Sequence, residues 1–432
     1  MNRPGQRIAV VGAGISGLGA ALALAERHDV TVYEAESRPG GHSNTVEVTA
    51  GGRTVPVDTG FIVYNLDTYP NLIALFDHLG VPTRASDMSF AVSADRGALE
   101  YSGSDLNGLF AQRSNLVRPR FLGMVRDILR FYREAPAVLL QPERRQSLGQ
   151  YLADGRYGRA FVDDHLLPMA AAIWSCPTSA MLEFPIVSFV RFCQNHGLLR
   201  VRDRPQWRTV AGGSREYVRR LTARLAGRIR LATPVDGIIR LQNAVVVRDR
   251  GGHEERFDQV VLAVHGDQTL AMLPDADPHE RAILGAFRYA ANRAVLHGDP
   301  RLMPRRRSVW SSWNYLATRD DAGARAVSVT YWMNRLQGLD PAVPLFVSLN
   351  PPEPPAPSQV HAAFDYMHPV FDQAAIDAQA ALPRIQGRRR TWFCGAWCGH
   401  GFHEDGLSAG LAVAASLGAA PAWRPRPTAA AA

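Results

Sequence analysis

Apolar positions along this chain change period repeatedly, and the changes mark its elements. Ile8-Ala9-Val10-Val11 is an unbroken apolar run, the pattern of a strand covered on both faces. Gly12-Ala13-Gly14-Ile15-Ser16-Gly17 follows at once, then an alanine- and leucine-rich stretch to about Arg27 that predicts a helix. Val30-Thr31-Val32-Tyr33 predicts a second strand, ending at Glu34. Similar runs recur at Ile229-Arg230-Leu231, around Ile238 and Val245, from Asp258 to His265 and from Thr391 to Gly395. An amphipathic helix to about Ala226 follows Val210-Ala211-Gly212-Gly213-Ser214, and Gly399 to Gly410 leads into an alanine-rich helix through about Leu417. Strands alternating with helices predict an α/β chain.

The first of these units carries chemistry. A G-x-G-x-x-G turn between strand and helix, with an acidic residue about 22 positions after the first glycine, has the spacing of a dinucleotide-binding fold. Gly12 permits the turn, Gly14 lets backbone approach a pyrophosphate, and Gly17 lets the helix pack on the sheet. The free amides of the helix start favour phosphate. Glu34 suits ribose hydroxyls and repels a 2′-phosphate, which disfavours NADP.

Composition narrows the class. The 432 residues are 46% apolar and 20% charged, which excludes disorder, collagen and coiled coil for the bulk of the chain. The net charge of +8 comes from 48 basic and 40 acidic residues, and all the cations are arginine. Without lysine there is no Schiff-base chemistry. Cys176, Cys193, Cys394 and Cys398 form no CxxC pair and no zinc spacing, so neither a metal nor a disulfide framework is expected. The first residues lack a signal-peptide pattern, and Leu166 to Leu182 is broken by Pro168 and Pro177, so a cytoplasmic protein without a membrane span is expected.

Further along, Ala35-Glu36-Ser37-Arg38-Pro39-Gly40-Gly41-His42, Val57-Asp58-Thr59-Gly60-Phe61-Ile62 and the far Gly395 to Gly410 stretch resemble the flavin-containing amine oxidase superfamily, which includes phytoene desaturases and protoporphyrinogen oxidases. The resemblance implies FAD, held in a Rossmann-like (GR2-type) domain that is discontinuous over 1–75, 205–272 and 385–420. An α+β substrate domain would be inserted at 76–204 and 273–384, with a disordered tail at 421–432. It implies cofactor contacts from Gly12, Gly14, Ile15, Ser16, Gly17, Glu34, Ala35, Gly40, Gly41, His42, Thr59, Gly60, Phe61, Ile62, Val235, Gly395, Glu404, Asp405, Gly406 and Leu407. His42 stands where amine oxidases usually have arginine. Gly395-Ala396 replaces the usual Gly-Asp, leaving Glu404 or Asp405 to supply a phosphate or ribityl contact. Candidate bases are His400, His403 and Glu404, with His42 and Tyr64 as outsiders.

Met88-Ser89-Phe90, Ala172-Ile173-Trp174-Ser175 and Asn195-His196-Gly197-Leu198-Leu199 resemble the FAD-binding oxidoreductases that accompany cyclopropane-fatty-acid-synthase-type methyltransferases. That likeness implies dehydrogenation of a methyl-branched acyl chain on a membrane phospholipid, as in furan fatty acid biosynthesis, by hydride transfer to flavin N5. A lipid methyltransferase is an implied partner. Oxidation of a small apolar amine, or a non-catalytic flavoprotein serving a methyltransferase, are the alternatives. The missing lysine demotes the amine reading, since the family's amine oxidases commonly keep one beside N5. Six arginines from Arg113 to Arg133 flank an apolar helical stripe that includes Phe121, Met124, Ile128 and Phe131. The stripe suits a peripheral position on an anionic membrane surface, or equally the core of the substrate domain. No nucleic-acid motif accompanies these arginines.

Overall fold

The apolar run Arg7–Val11 is the central strand of a five-stranded parallel sheet in a computed structural model of the chain, which describes residues 5–50, 52–174, 178–319 and 325–424. Asp29–Tyr33 and the short Ile229–Arg230 lie to one side of it, Gln259–Leu262 and Thr391–Phe393 to the other. Val10 stands between Val32 and Val261, and all three are buried. Both faces are therefore covered, as an unbroken apolar run requires. The chain is α/β, and one layer collects strands from both ends and the middle.

Two helices from opposite ends of the chain cross against this sheet through small residues. A Cβ on Gly410 would lie 2.2 Å from the Ser16 carbonyl oxygen, and the Leu407 side chain fills the space over Gly19. Ile15–Leu24 and His403–Ser416 can approach this closely only because those positions carry no side chain.

A seven-stranded sheet forms the second body, in the order Val360–Val370, Arg288–His297, Phe346–Leu349, Arg325–Trp332, Trp313–Arg319, Phe90–Ala94 and Leu99–Ser102. The helices between residues 106 and 195 pack on it, with Phe131, Phe161, Phe189, Tyr315 and Val347 in one apolar cluster. Pro119–Glu134 belongs to this layer. Phe121, Met124 and Phe131 are buried in the cluster, so the centre of its apolar stripe faces protein and is not free for lipid. Several of its arginines are engaged too: Arg120 meets Asp164 at 2.5 Å and Arg130 meets Glu134 at 3.0 Å.

Order continues past Pro421 to Arg424: Trp423 is buried with its ring 5.3 Å from that of His78. Residues 425–432 of the expected tail, and Ser175 and Cys176, lie outside the described residues. Among the described residues no helix is long and apolar enough to cross a membrane.

Candidate functional site

Gly12 has φ +104, and a Cβ there would sit 2.7 Å from the Ala263 carbonyl oxygen, so the turn tolerates no other residue. The helix that follows starts at Gly14 with no side-chain cap, which leaves its first amides for a ligand. Glu34 stands against the same turn: its Oε2 accepts the Ala13 amide at 2.7 Å and its Oε1 the Glu36 amide at 2.9 Å. Gly14 is different from Gly12. Its φ is −76, and a Cβ would meet nothing within 4 Å, so the protein alone does not demand glycine there. The open space in front of it leaves room for a ligand to lie against the backbone.

Gly14 faces a cavity of about 790 Å³ that runs between the two bodies of the chain. Of the expected cofactor residues, Gly12, Gly14, Ile15, Ser16, Glu34, Gly40, Gly41, His42, Thr59, Gly60, Phe61, Ile62 and Gly395 line it. Gly17 instead packs beneath the turn, where a Cβ would strike the Gly12 carbonyl oxygen. Ala35 is exposed and away from the cavity. Val235 is buried outside it, two residues past Thr233, whose amide bonds to the Glu34 carbonyl.

Buried polar atoms in this wall without a partner include two histidine nitrogens, Nε2 of His42 and Nδ1 of His368. The rings lie 5.4 Å apart, and His42 stacks on Tyr366 at 5.0 Å. Burial, reinforced by the charges of His368 and His265, pushes His42 well below the usual histidine range; burial, with His265, takes His368 down to about 4. Both are neutral at physiological pH and offer unsatisfied nitrogens, a fit for the polar edges of a flavin or its ribityl chain. His368 lies in the long strand Val360–Val370 without any motif to mark it. Ala263, Val264 and His265 also line the cavity, and here a signal existed, since ligands in such sheets sit at the carboxyl ends of strands.

The terminal motif divides. His400 and His403 line the cavity; Glu404, Asp405, Gly406 and Leu407 do not. Glu404 accepts the Asn71 amide (2.9 Å), the Asn71 side-chain nitrogen (2.7 Å) and the Leu72 amide (2.9 Å), so it caps the helix Pro70–Leu79. Its carboxylate is thus turned to that helix start and away from the cavity lining. Asp405 accepts the Phe402 amide at 2.9 Å at its own helix start, and Gly406 faces Ile15. Helix-start carboxylates find local amides before they find a ligand.

His403 is held by Ser43 Oγ and Tyr217 Oη at 3.0 and 3.2 Å and stacks on Phe61 at 3.7 Å. Burial pushes it down to about 3. His400 is lowered by burial, with Asp405 opposing the shift. Tyr64 is buried edge-on to Tyr69 and Phe76, outside the cavity lining. A residue absent from the expected set is His196: Nδ1 bonds to the Phe192 carbonyl at 3.0 Å, leaving Nε2 as the unprotonated nitrogen, and the ring lies between Phe192 and Trp207 in the cavity wall.

On the side of the second body the cavity is lined by Phe192, Val125, Ile128, Tyr132, Met169 and Ile173, an apolar arm set apart from the glycine turn. Leu106, Leu129 and Val201 line it and are yet 76%, 53% and 65% exposed, which marks its mouth; Arg202 and Arg204 stand there too. Among the described residues the lining holds two carboxylates, Glu34 at the glycine turn and Asp105, whose Oδ1 accepts the Gly108 amide.

The sequence model of flavin containing amine oxidoreductases matches residues 15–334. Among solved structures, putrescine oxidase bound to putrescine is 16% identical with TM-score 0.67, covering 95% of this chain and 98% of its own. The CLA-producing fatty acid isomerase from P. acnes is 16% identical with TM-score 0.66, covering 94% and 97%. Cyclohexylamine oxidase from Brevibacterium oxydans IH-35A is 17% identical with TM-score 0.65, covering 96% and 99%. At these identities the likeness is one of fold.

Proposed function

Because the chain belongs to the flavin containing amine oxidoreductase family, with FAD as its cofactor, we propose that this oxidoreductase desaturates a methyl-branched acyl chain of a membrane phospholipid. The observation that carries the reading is the apolar arm between the cofactor-lining residues and an exposed mouth of Leu106, Leu129 and Val201. The carboxylates among the described lining residues, Glu34 and Asp105, each accept a backbone amide, which favours an uncharged ligand over an ammonium. An acyl chain needs apolar walls alone. The fatty acid isomerase of the same fold is in keeping with such a ligand.

FAD, when bound, supplies the hydride acceptor for the reacting C–H. The chain's own residues orient the substrate and take the second proton. His196 and His400 both line the cavity, and burial keeps both neutral, His196 at about 4. His196 has its Nε2 free to accept a proton, and His400 has Asp405 nearby to favour the imidazolium that results. His403 has its Nε2 engaged by the Ser43 and Tyr217 hydroxyls and stacks on Phe61, which fixes its ring in the wall.

The arginine-bearing mouth rests on an anionic bilayer in this reading, at the inner face of the cell membrane, with the exposed leucines toward the acyl region. A lipid methyltransferase would supply the branched chain. The test is anaerobic mixing of the FAD-loaded protein with methylated and unmethylated phospholipids, following flavin bleaching and analysing acyl chains by mass spectrometry. Bleaching by methylated lipid with a loss of two hydrogens is expected. Bleaching by amines alone, or by nothing, overturns the reading.

A further inference from the structure

Among the described residues lining the cavity away from the glycine turn, the indole nitrogens of Trp174 and Trp313, which can only donate, and Nε2 of His165, which can accept, are buried without a partner. His165 sits in a π-helical turn, Val162–Leu166, inserted between the α-helical segments Arg159–Phe161 and Leu167–Trp174. Such insertions cost helix stability and concentrate at functional positions. The local sequence accounts for the side chain's state. Pro168, which has no amide hydrogen, stands four residues after Asp164, so the α-helical bond to the Asp164 carbonyl is lacking. That carbonyl instead accepts the Tyr101 hydroxyl at 2.7 Å. With its hydrogen committed there, the Tyr101 oxygen acts as acceptor toward Nδ1 of His165, 3.0 Å away. The Nδ1 therefore carries the ring proton, and Nε2 presents a bare lone pair.

We propose that His165 makes a hydroxyl-binding subsite in the wall of the arm, its Nε2 accepting a hydrogen bond from a hydroxyl carried partway along an otherwise apolar chain. Burial pushes the imidazole down to about 4, with the charge of Arg204 adding to the shift, so the ring is a neutral acceptor that does not attract carboxylate or phosphate. The Tyr101 and Phe161 rings lie beside it, and Val125, Ile128 and Met169 line the same cavity with apolar surface. A bare alkyl chain leaves the nitrogen unsatisfied, whereas a chain with a hydroxyl at the matching carbon completes it. The inference deepens the acyl-chain reading and rests on it: the arm then selects both for apolar shape and for one polar substituent at a fixed depth.

The experiment is calorimetric titration of the FAD-loaded protein with octadecanoate and with its hydroxyl positional isomers. One isomer is expected to bind about ten-fold more tightly than octadecanoate, with the others close to it. His165→Leu should abolish the preference while octadecanoate still binds, and His165→Gln, which keeps an acceptor oxygen, should retain part of it. Equal binding of all chains to the wild type, or a preference that survives His165→Leu, overturns the subsite and leaves the acyl reading intact. If no chain binds at all, the acyl reading fails and the subsite fails with it.

Discussion

Glu404 and Asn71 are joined through a single carboxylate oxygen, which accepts both the Asn71 amide and its side-chain nitrogen at 2.9 and 2.7 Å across 333 residues of sequence. The bond fastens the final helix to the start of Pro70–Leu79. Glu404→Ala should therefore act on stability. Loss of a charged helix cap leaves three donors unpaired and costs about 2 kcal/mol. Urea unfolding of the holoprotein should show that loss, while flavin reduction in stopped flow stays within about three-fold of wild type. A collapse of the reduction rate in a normally stable variant would return Glu404 to the chemistry.

Gly14 makes the converse prediction. Open space around its Cβ means Gly14→Ala should fold with unchanged secondary structure and yet retain FAD poorly, because the methyl group projects where the cofactor lies. Glu34→Ala should also weaken FAD, by the charge-assisted ribose bonds of roughly 1.5–3 kcal/mol each. Cofactor titration of the stripped proteins checks both, and full FAD occupancy in either variant would contradict the assignment.

Acid should unfold this protein early. His165, His196, His368 and His403 are held neutral by burial, with pKa values lowered to about 4, 4, 4 and 3. A depressed pKa contributes stability that is complete above the unfolded value near 6.5 and is lost as pH falls toward the folded value. Each such histidine steepens the loss by up to ~1.4 kcal/mol per pH unit between about 6.5 and 4. The thermal midpoint should fall steeply across that window, and His403→Gln should make the fall shallower. A flat profile from pH 7 to 5 would show that these rings are not buried neutral.

The mouth of the arm gives a surface prediction. Arg202→Glu with Arg204→Glu should lower partitioning onto anionic vesicles by at least about thirty-fold, at roughly 1 kcal/mol per surface arginine. Neutral vesicles should show little difference. Sedimentation that ignores both lipid charge and these substitutions would remove the bilayer from the account.

What the sequence made legible was local. The glycine turn, its flanking strand and helix and Glu34 lie within one short span, and their spacing carries their chemistry without reference to the rest of the chain. Contacts between distant segments were not legible: nothing near Glu404 announces that Asn71 will take its carboxylate. The amphipathic stripe of Pro119–Glu134 showed that one face would be covered, while Phe121, Met124 and Phe131 reveal by their burial that protein does the covering. His368 and His165 stood in segments with no motif at all. Their importance comes from an unpartnered nitrogen in a cavity wall, a property of three-dimensional packing alone.

The arrangement of the five-stranded sheet has a consequence for the birth of the protein. The phosphate turn leaves the ribosome before its later neighbours: Gln259–Leu262 must arrive before Arg7–Val11 is flanked on both sides, and Thr391–Phe393 must arrive before Gln259–Leu262 is. The helix that crosses Ile15–Leu24 follows later still. Flavin capture thus waits for segments far along the chain, and a nascent chain arrested before Thr391 carries an open strand edge, the kind of surface that invites aggregation or chaperone binding.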